Sequence, residues 1–325
     1  MMQVLVLGAT GFIGGTLAKE ALSKGWQVRA LRRDPERKGS IGDDPVEWVE
    51  GDLDQPAGLE RIFQGVDVVF HAAAYYPSDS KNVPAQVAHS VQQTANVLDL
   101  MRTQQVKRLI FTSSFTTMVA PQIRENERID EQTHYLAGML ARSAYYECKI
   151  AMESQLFAAE KEDLEVVILN PTMVLGPGGN ERSTGAIFLA VARGWGRVWF
   201  PAKVNVVDVR DVAQAQITAA QVGRSGERYL LGGHNLDLRQ LLQEIANISG
   251  VRGPLWRVPL AMIDLLVWME GHVPGVNVSA NHLRAVRLWP HYTTAKAERE
   301  LGFSARPLQE TLSDTYEDYR VSGYL

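Results

Sequence analysis

Two hydrophobic rhythms alternate through the first half of the chain. Short β-rich runs at Gln3–Leu7, Gln27–Leu31, Val46–Val49, Val66–Phe70, Arg108–Thr112 and Val166–Leu169 have the length and composition of strands. Between them apolar residues return at helical spacing, as in Ile13, Leu17 and Ala21 and again in Val87, Val91, Ala95 and Leu98. Strand and helix in strict alternation predict an α/β fold, a doubly wound parallel sheet with helices on both faces. Ligands of such sheets bind at the carboxyl ends of the strands, where the strand order reverses.

From about Pro171 the rhythm changes to Gly/Pro-rich loops such as Gly176-Pro177-Gly178-Gly179, mixed with helices expected to carry Trp195, Trp199, Trp256, Trp268 and Trp289. This half is expected to form a smaller substrate-binding lobe. A strand near Val204–Val207 and a helix over Asp211–Ala220 are expected to return to the first domain. The predicted division is therefore residues 1–172, rejoined by about 203–232, for the dinucleotide, and 173–202 with 233–325 mainly for the substrate.

Composition narrows the partners. The 325 residues are 46% hydrophobic and 22% charged, enough to bury a core. With 33 basic against 37 acidic residues, a net charge of −4 and no long block of one sign, nucleic acid is excluded as an expected partner. The single cysteine, Cys148, rules out an intramolecular disulfide and suits a reducing compartment, the cytoplasm. No signal peptide is read at the start of the chain, which runs from Met1 directly into Val4–Leu7. The most apolar later stretch, Leu260–Met269, carries Asp264 and falls short of the ~20 residues a span requires, so it is expected to be a surface or interface helix with no membrane partner. No metal site is expected, because no ligand cluster appears.

Four motifs carry chemistry. Gly8-Ala9-Thr10-Gly11-Phe12-Ile13-Gly14 follows the first strand and opens the first helix. Glycines there permit a tight turn, a close approach of pyrophosphate to backbone and close helix–strand packing, while the helix N-terminus attracts the phosphates. The second strand ends at Arg32-Arg33, where an NAD site would often place an acidic residue; the guanidinium of Arg32 suits a 2′-phosphate and hence NADP rather than NAD. Arg37 and Lys38 are read as a solvated loop.

Tyr145 and Lys149 stand four residues apart and share a helical face. An ammonium about 5 Å from a phenol, at an effective dielectric near 20, is worth roughly 3 kcal/mol, or about two pKa units, so Lys149 is expected to lower Tyr145 toward working pH. Arg108–Ser114 reads as a strand ending in hydroxyls, and Ser114 there can hold a substrate carbonyl while Tyr145 moves the proton. No Gly-x-Ser-x-Gly elbow or histidine spacing offers a hydrolase alternative.

Together these residues resemble the extended short-chain dehydrogenase/reductase family, and within it the dihydroflavonol-reductase-like and epimerase/dehydratase-like branch. The resemblance spans nearly the whole chain: Gly8-x-x-Gly11-x-x-Gly14, Gly51-Asp52-Leu53, His71-Ala72-Ala73-Ala74, Thr112-Ser113-Ser114, Tyr145-x-x-x-Lys149 and Asn170 to Pro177. Arg228 to Gly233 and Lys296 to Phe303 look like the family's C-terminal segments.

The resemblance implies a Rossmann-type sheet with a smaller C-terminal lobe, and a catalytic set of Ser114, Tyr145 and Lys149, with Ser113 as fallback and Lys149 also bonding the ribose. It further implies that Gly8, Thr10, Gly11, Phe12, Ile13, Gly14 and Thr112 belong to the cofactor site. Asp52 and Leu53 would border the adenine, Ala72, Ala73 and Ala74 would line the cleft, and Pro171 to Val174 would flank the nicotinamide. Ser90 stands where relatives often have asparagine. Relatives often dimerise beside the active-site tyrosine, which leaves a homodimer open.

The implied activity is reduction of a carbonyl, or oxidation of an alcohol, in a small molecule. A nucleotide-sugar epimerase with tightly bound NAD(P) and a non-catalytic NAD(P) sensor stay as alternatives. Dehydration is disfavoured, because Phe115-Thr116-Thr117 replaces the acidic pair that dehydratases carry. Tyr75 and Tyr76 can line a pocket or simply pack. The stretch 122–132 can be a flap or an inert loop.

Overall fold

The computed structural model describes residues 1–73, 75–77, 80, 82–119, 128–140, 143–179, 184–272, 283, 285 and 289–325. The chain runs β1 (Gln3–Leu7), α1 (Phe12–Ser23), β2 (Gln27–Arg32), β3 (Glu47–Glu50), α2 (Glu60–Phe63), β4 (Val68–His71), α3 (Val83–Thr103) and β5 (Arg108–Thr112). It continues through β6 (Arg128–Ile129), α4 (Ala144–Glu162), β7 (Glu165–Pro171), β8 (Met173–Leu175), α5 (Thr184–Ala192), β9 (Val198–Trp199), β10 (Lys203–Asp208) and α6 (Val209–Val222). The last part holds β11 (Glu227–Leu231), β12 (His234–Asp237), α7 (Leu238–Ser249), β13 (Trp256–Arg257), α8 (Leu260–His272), β14 (His291–Tyr292), α9 (Ala295–Leu301) and α10 (Leu308–Val321).

The central strands carry near-continuous apolar runs, such as Val4–Leu7 of β1, Val68–Phe70 of β4 and Val166–Leu169 of β7, because both faces of the main sheet are covered. Val4 and Val6 of β1, Val28 and Ala30 of β2 and Phe70 of β4 face Leu17 and Ala21 of α1 and Val212 and Ile217 of α6. Leu5, Leu7, Leu31, Val69 and Phe111 point the other way, against Val97 and Met101 of α3 and Met152 and Leu156 of α4. Seven strands pair in the order β3-β2-β1-β4-β5-β7-β11, all parallel. The order reverses between β1 and β4, which makes the crevice at their carboxyl ends the expected ligand position of this Rossmann-type fold.

Several boundaries differ from the periodicity. β4 begins at Val68 rather than Val66, and β7 runs on to Pro171. Helix α6 starts at Val209, two residues early, because Asp208 caps it: its Oδ1 accepts from the Arg210 N–H at 2.8 Å. β11 was not among the strands expected from hydrophobic rhythm, since it opens with the charged pair Glu227-Arg228.

A second core joins Met173 and Leu175 of β8, Phe188 of α5, Val204 and Val206 of β10, Leu241 and Ile245 of α7, and Leu312 and Tyr319 of α10. There β10, the strand expected to return to the first domain, lies instead between β8 and β12 in a three-stranded sheet, and it is α6 and β11 that rejoin the main sheet. The expected tryptophan helices need correction. Of the five, only Trp268 is helical; Trp199 and Trp256 lie in the short β9–β13 ribbon, and Trp195 and Trp289 lie outside helices and strands. Gly194, Gly196 and Pro201 interrupt any helix around the first two.

Candidate active site

The turn after β1 is shaped by what glycine lacks. Gly8 has φ +92°, and a Cβ there would meet the Ala73 nitrogen at 2.7 Å and the Ala72 carbonyl carbon at 2.8 Å. A Cβ on Gly14 would collide with the Gly8 carbonyl. The β1 turn, the start of α1 and the chain leaving β4 are thus in direct contact, with the Ala72 N–H bonded to the Leu7 carbonyl at 2.9 Å. Gly11 caps α1 without a side-chain bond, and no acidic residue occupies the first turn where Phe12 and Ile13 stand. Free N–H groups and an uncancelled dipole end at this narrow backbone turn fit a dinucleotide pyrophosphate. Ala74 lies outside the described residues.

Across the crevice, α4 brings the titratable groups to the ends of β4 and β5. The Lys149 ammonium donates to the Thr112 carbonyl at 3.2 Å and lies 5.2 Å from the Phe111 ring centroid and 6.0 Å from that of Tyr145. Burial pulls its pKa down to about 8, against the opposing charge of Glu153. The buried Tyr145 phenol has the Ser114 hydroxyl as a polar neighbour that favours its ionised form. Ser114 itself sits at the end of β5 and caps the 3₁₀ turn Phe115–Met118, its Oγ accepting from Thr116 N–H at 3.3 Å.

The expected lowering of the Tyr145 pKa is reversed. Burial pushes the phenol well above its ordinary value, Tyr76 adds to the rise, and the Ser114 hydroxyl only partly offsets it. The Coulomb argument overestimates Lys149 because this ammonium is committed to Thr112 and faces the ring rather than bonding the oxygen. His71, at the end of β4, is buried with both ring nitrogens unpartnered among the described residues, and burial holds it neutral with a pKa of about 3.

Glu153 was missed from sequence. It is the next turn of the Tyr145–Lys149 face and is 1% exposed. Its Oε1 accepts from Ser113 Oγ at 2.5 Å, Asn170 Nδ2 at 2.7 Å and Thr117 Oγ1 at 2.9 Å, while Oε2 pairs with Arg228 Nη1 at 3.3 Å. Ser113 is therefore engaged away from Tyr145, and Ser114 is the serine in contact with it. The i, i+4 spacing that singles out Lys149 extends one step further to Glu153.

The remaining candidates fall around this edge. Thr112 Oγ1 donates to Gln216 at 2.8 Å. Pro171 ends β7, and Val174 on β8 is buried. Leu53 is buried after β3, and Asp52 beside it accepts from Asp54 N–H at 3.1 Å. Thr10 borders Gly39, a Cβ on which would meet the Thr10 carbonyl oxygen at 2.8 Å.

Arg32 pairs in register with Glu50 of β3, its guanidinium 5.3 Å from the Trp48 ring centroid and 3.5 Å from the Glu50 carboxylate. The next residue, Arg33, is exposed. Ser90 packs in the α3–α4 contact, its hydroxyl donating to the Val87 carbonyl at 2.8 Å. Cys148 is buried among apolar side chains, as a small hydrophobe would be.

Aromatic rings pack around Tyr145. Tyr76 lies 4.8 Å from it between centroids, whereas Tyr75 turns to His89 at 4.5 Å. The Trp289 indole donates to Tyr146 Oη at 3.1 Å and contacts Phe115. Residues 122–127 of the suggested flap lie outside the described residues. The rest is anchored: β6 pairs with β14, and the Glu131 carboxylate accepts from Leu230 N–H at 2.8 Å.

The family model described as NAD dependent epimerase/dehydratase matches residues 4–232. A Synechocystis sp. protein provisionally named dihydroflavonol 4-reductase is 30% identical over 332 aligned positions, covering 98% of this chain and 95% of its own length. Cinnamoyl-CoA reductase 1 of Oryza sativa is 30% identical over 261 positions, 74% of this chain and 75% of the relative. Among solved structures, a nucleoside-diphosphate-sugar epimerase from Pseudomonas aeruginosa superimposes with a TM-score of 0.85 at 26% identity, covering 100% of this chain and 99% of that one.

Proposed function

The chain belongs to the NAD dependent epimerase/dehydratase family of extended short-chain dehydrogenases/reductases, and from that premise we propose that it is an NADP-dependent reductase of a carbonyl in a small organic substrate. It is an NAD(P)-dependent enzyme acting on a small molecule. The observation that carries the finer reading is the placement of the Ser114 hydroxyl beside the buried Tyr145 phenol at the crevice edge, near the glycine turn. The reduced nucleotide, when bound, supplies the hydride.

The chain's own residues handle the oxygen. Ser114 donates to the carbonyl oxygen and orients it toward Tyr145, whose phenol delivers the proton. Because burial keeps that phenol neutral, it starts in the form that reduction needs. Lys149, held by the Thr112 carbonyl, stabilises the phenolate left behind and is placed to reach the ribose hydroxyls. Gly8, Thr10, Gly11, Phe12, Ile13 and Gly14 would hold the pyrophosphate. Asp52 and Leu53 would border the adenine, and Ala72, Ala73, Thr112, Pro171 and Val174 the nicotinamide side.

The division of labour follows the sequence reading, with 1–172 and about 203–232 serving the nucleotide and 173–202 and 233–325 the substrate. A buried free thiol at Cys148 supports a reducing compartment, the cytoplasm. The exposed Tyr76 ring packed against Tyr145 favours an apolar carbonyl compound over a sugar diphosphate. The reductase names among the relatives agree with it. A nucleotide-sugar epimerase is the second reading, favoured by the full-length similarity to such an enzyme.

The preference for NADP rests on the arginine pair, and Arg33 now shares it with Arg32. Arg33→Ala should weaken NADP by roughly 1.5–3 kcal/mol with NAD nearly unchanged. Arg32→Ala should weaken NADP and also loosen the β2–β3 edge through lost contacts to Trp48 and Glu50. Titration of both nucleotides against both variants checks this. Unaltered NADP affinity in both would remove the basis of the preference.

A pH dependence follows from Lys149. Its ammonium is present below about pH 8 and lost above it, while Tyr145 stays protonated throughout. For reduction, kcat/KM should be level below pH 8 and then fall about tenfold per unit. A profile that rises through pH 8 would contradict the assigned roles.

The reading as a whole is tested with NADPH in excess over a panel of aldehydes, ketones and nucleotide sugars. The expected result is loss of NADPH absorbance in step with product. Epimeric products without net loss would promote the second reading. Tight nucleotide binding with no reaction anywhere in the panel would favour a sensor.

A further inference from the structure

Eight of the fifteen exposed large apolar side chains among the described residues fall in two short segments, 195–198 and 255–268. Trp195, Leu255, Trp256, Met262, Leu265 and Trp268 are all more than half exposed. The segments are joined: Val198 pairs with Trp256, the Leu255 N–H donates to the Arg197 carbonyl at 2.9 Å, and Pro259 leads straight into α8, accepting from Met262 N–H at 3.0 Å. Exposed apolar surface gathered in this way marks an interaction site rather than chance exposure.

Chemistry selects the partner. Residues 184–202 and 249–263 contain Arg193, Arg197, Arg252 and Arg257 and no carboxylate, so that with Asp264 and Glu270 of α8 counted these segments still hold four arginines to two carboxylates, in a chain whose net charge is −4. Arg197 lies 5.7 Å from the Trp256 ring centroid, so cation and aromatic present together. Tryptophan beside arginine is the composition of a headgroup-level membrane contact. Helix α8 has 13 residues and is apolar on most sides, with Ile263 as its buried anchor among 260–269. At about 1.5 Å per residue it covers about 20 Å, too short to cross about 30 Å of hydrocarbon but suited to lie along its surface. Among the described residues no helix is long and apolar enough to cross a membrane.

We propose that the β9–β13 ribbon and α8 dock the enzyme on an anionic lipid bilayer. This peripheral contact departs from the sequence expectation of no membrane partner and is independent of the reaction assigned above. A second copy of the chain is a poorer occupant, since a self-complementary contact would set the same arginines against each other.

Cosedimentation of the full chain with vesicles tests the proposal, using phosphatidylcholine alone and an equal mixture with phosphatidylglycerol. At low salt the bound fraction should be about tenfold higher on the anionic vesicles and fall severalfold at high salt. The double variant Trp256→Ser/Trp268→Ser should lose about tenfold in binding, and Arg252→Glu/Arg257→Glu at least as much, with melting temperature and NADP affinity unchanged. Failure of the wild type to sediment with anionic vesicles would overturn the proposal. So would a solution dimer that the tryptophan substitutions dissociate, because the face would then belong to a second copy.

Discussion

Tyr145→Phe is expected to lower kcat by about 10²-fold or more while leaving NADP affinity and melting temperature close to wild type. The substitution keeps the ring that packs against Tyr76 and Tyr146 and removes only the phenol oxygen beside Ser114. Tyr146→Phe is the control. Its hydroxyl accepts from the Trp289 indole in the buried cluster behind the site, so its loss should cost far less turnover. Parallel measurement of kcat, nucleotide affinity and melting for both variants decides the assignment. Equal losses from the two would mean that packing rather than proton transfer had been removed.

Glu153→Ala should cost about 3–5 kcal/mol of stability, the largest structural loss expected of any residue near the site. Truncation would strand the Arg228 guanidinium, itself 4% exposed, and remove the shared acceptor of Ser113, Thr117 and Asn170. Glu153→Gln should be milder, because an amide oxygen still accepts hydrogen bonds. Removing the carboxylate charge that raises the Lys149 pKa should also move the fall in kcat/KM to lower pH. Urea unfolding read with the pH profile separates the two effects. A loss of less than about 1 kcal/mol in Glu153→Ala would show that water or a rearranged side chain replaces the carboxylate.

What the sequence revealed and what it concealed divide along the range of the interactions involved. The parallel sheet was legible because burial on both faces makes each central strand an apolar run, as in Val4-Leu5-Val6-Leu7. The glycine turn and the Tyr145–Lys149 pair were legible because each is a spacing within one local element. β11 was hidden by Arg228, whose charge is tolerated in a buried strand because Glu153, 75 positions away, and the Glu131 and Thr133 carbonyls, more than 90 away, partner it. Glu153 was hidden for the same reason, since its partners come from the end of β5, the turn after it, β7 and β11.

The choice between Arg32 and Arg33 depends on the register of β2 with β3, which seats Arg32 against Glu50. The direction of the Tyr145 shift depends on burial under neighbouring rings, while the sequence argument counted only the nearest charge. The tryptophans misled because a helical reading of them leaves the flanking breakers Gly194, Gly196 and Pro201 unweighed.

The central claim is that this chain transfers a hydride to a carbonyl and protonates its oxygen from Tyr145. It is tested most directly by a single turnover with NADPH deuterated at the transferred position and a carbonyl substrate found in the panel. The account predicts one deuterium in the product alcohol for each NADP formed, with the product burst lost in Tyr145→Phe. Epimeric product with the deuterium still on the added nucleotide and no net NADP would contradict it.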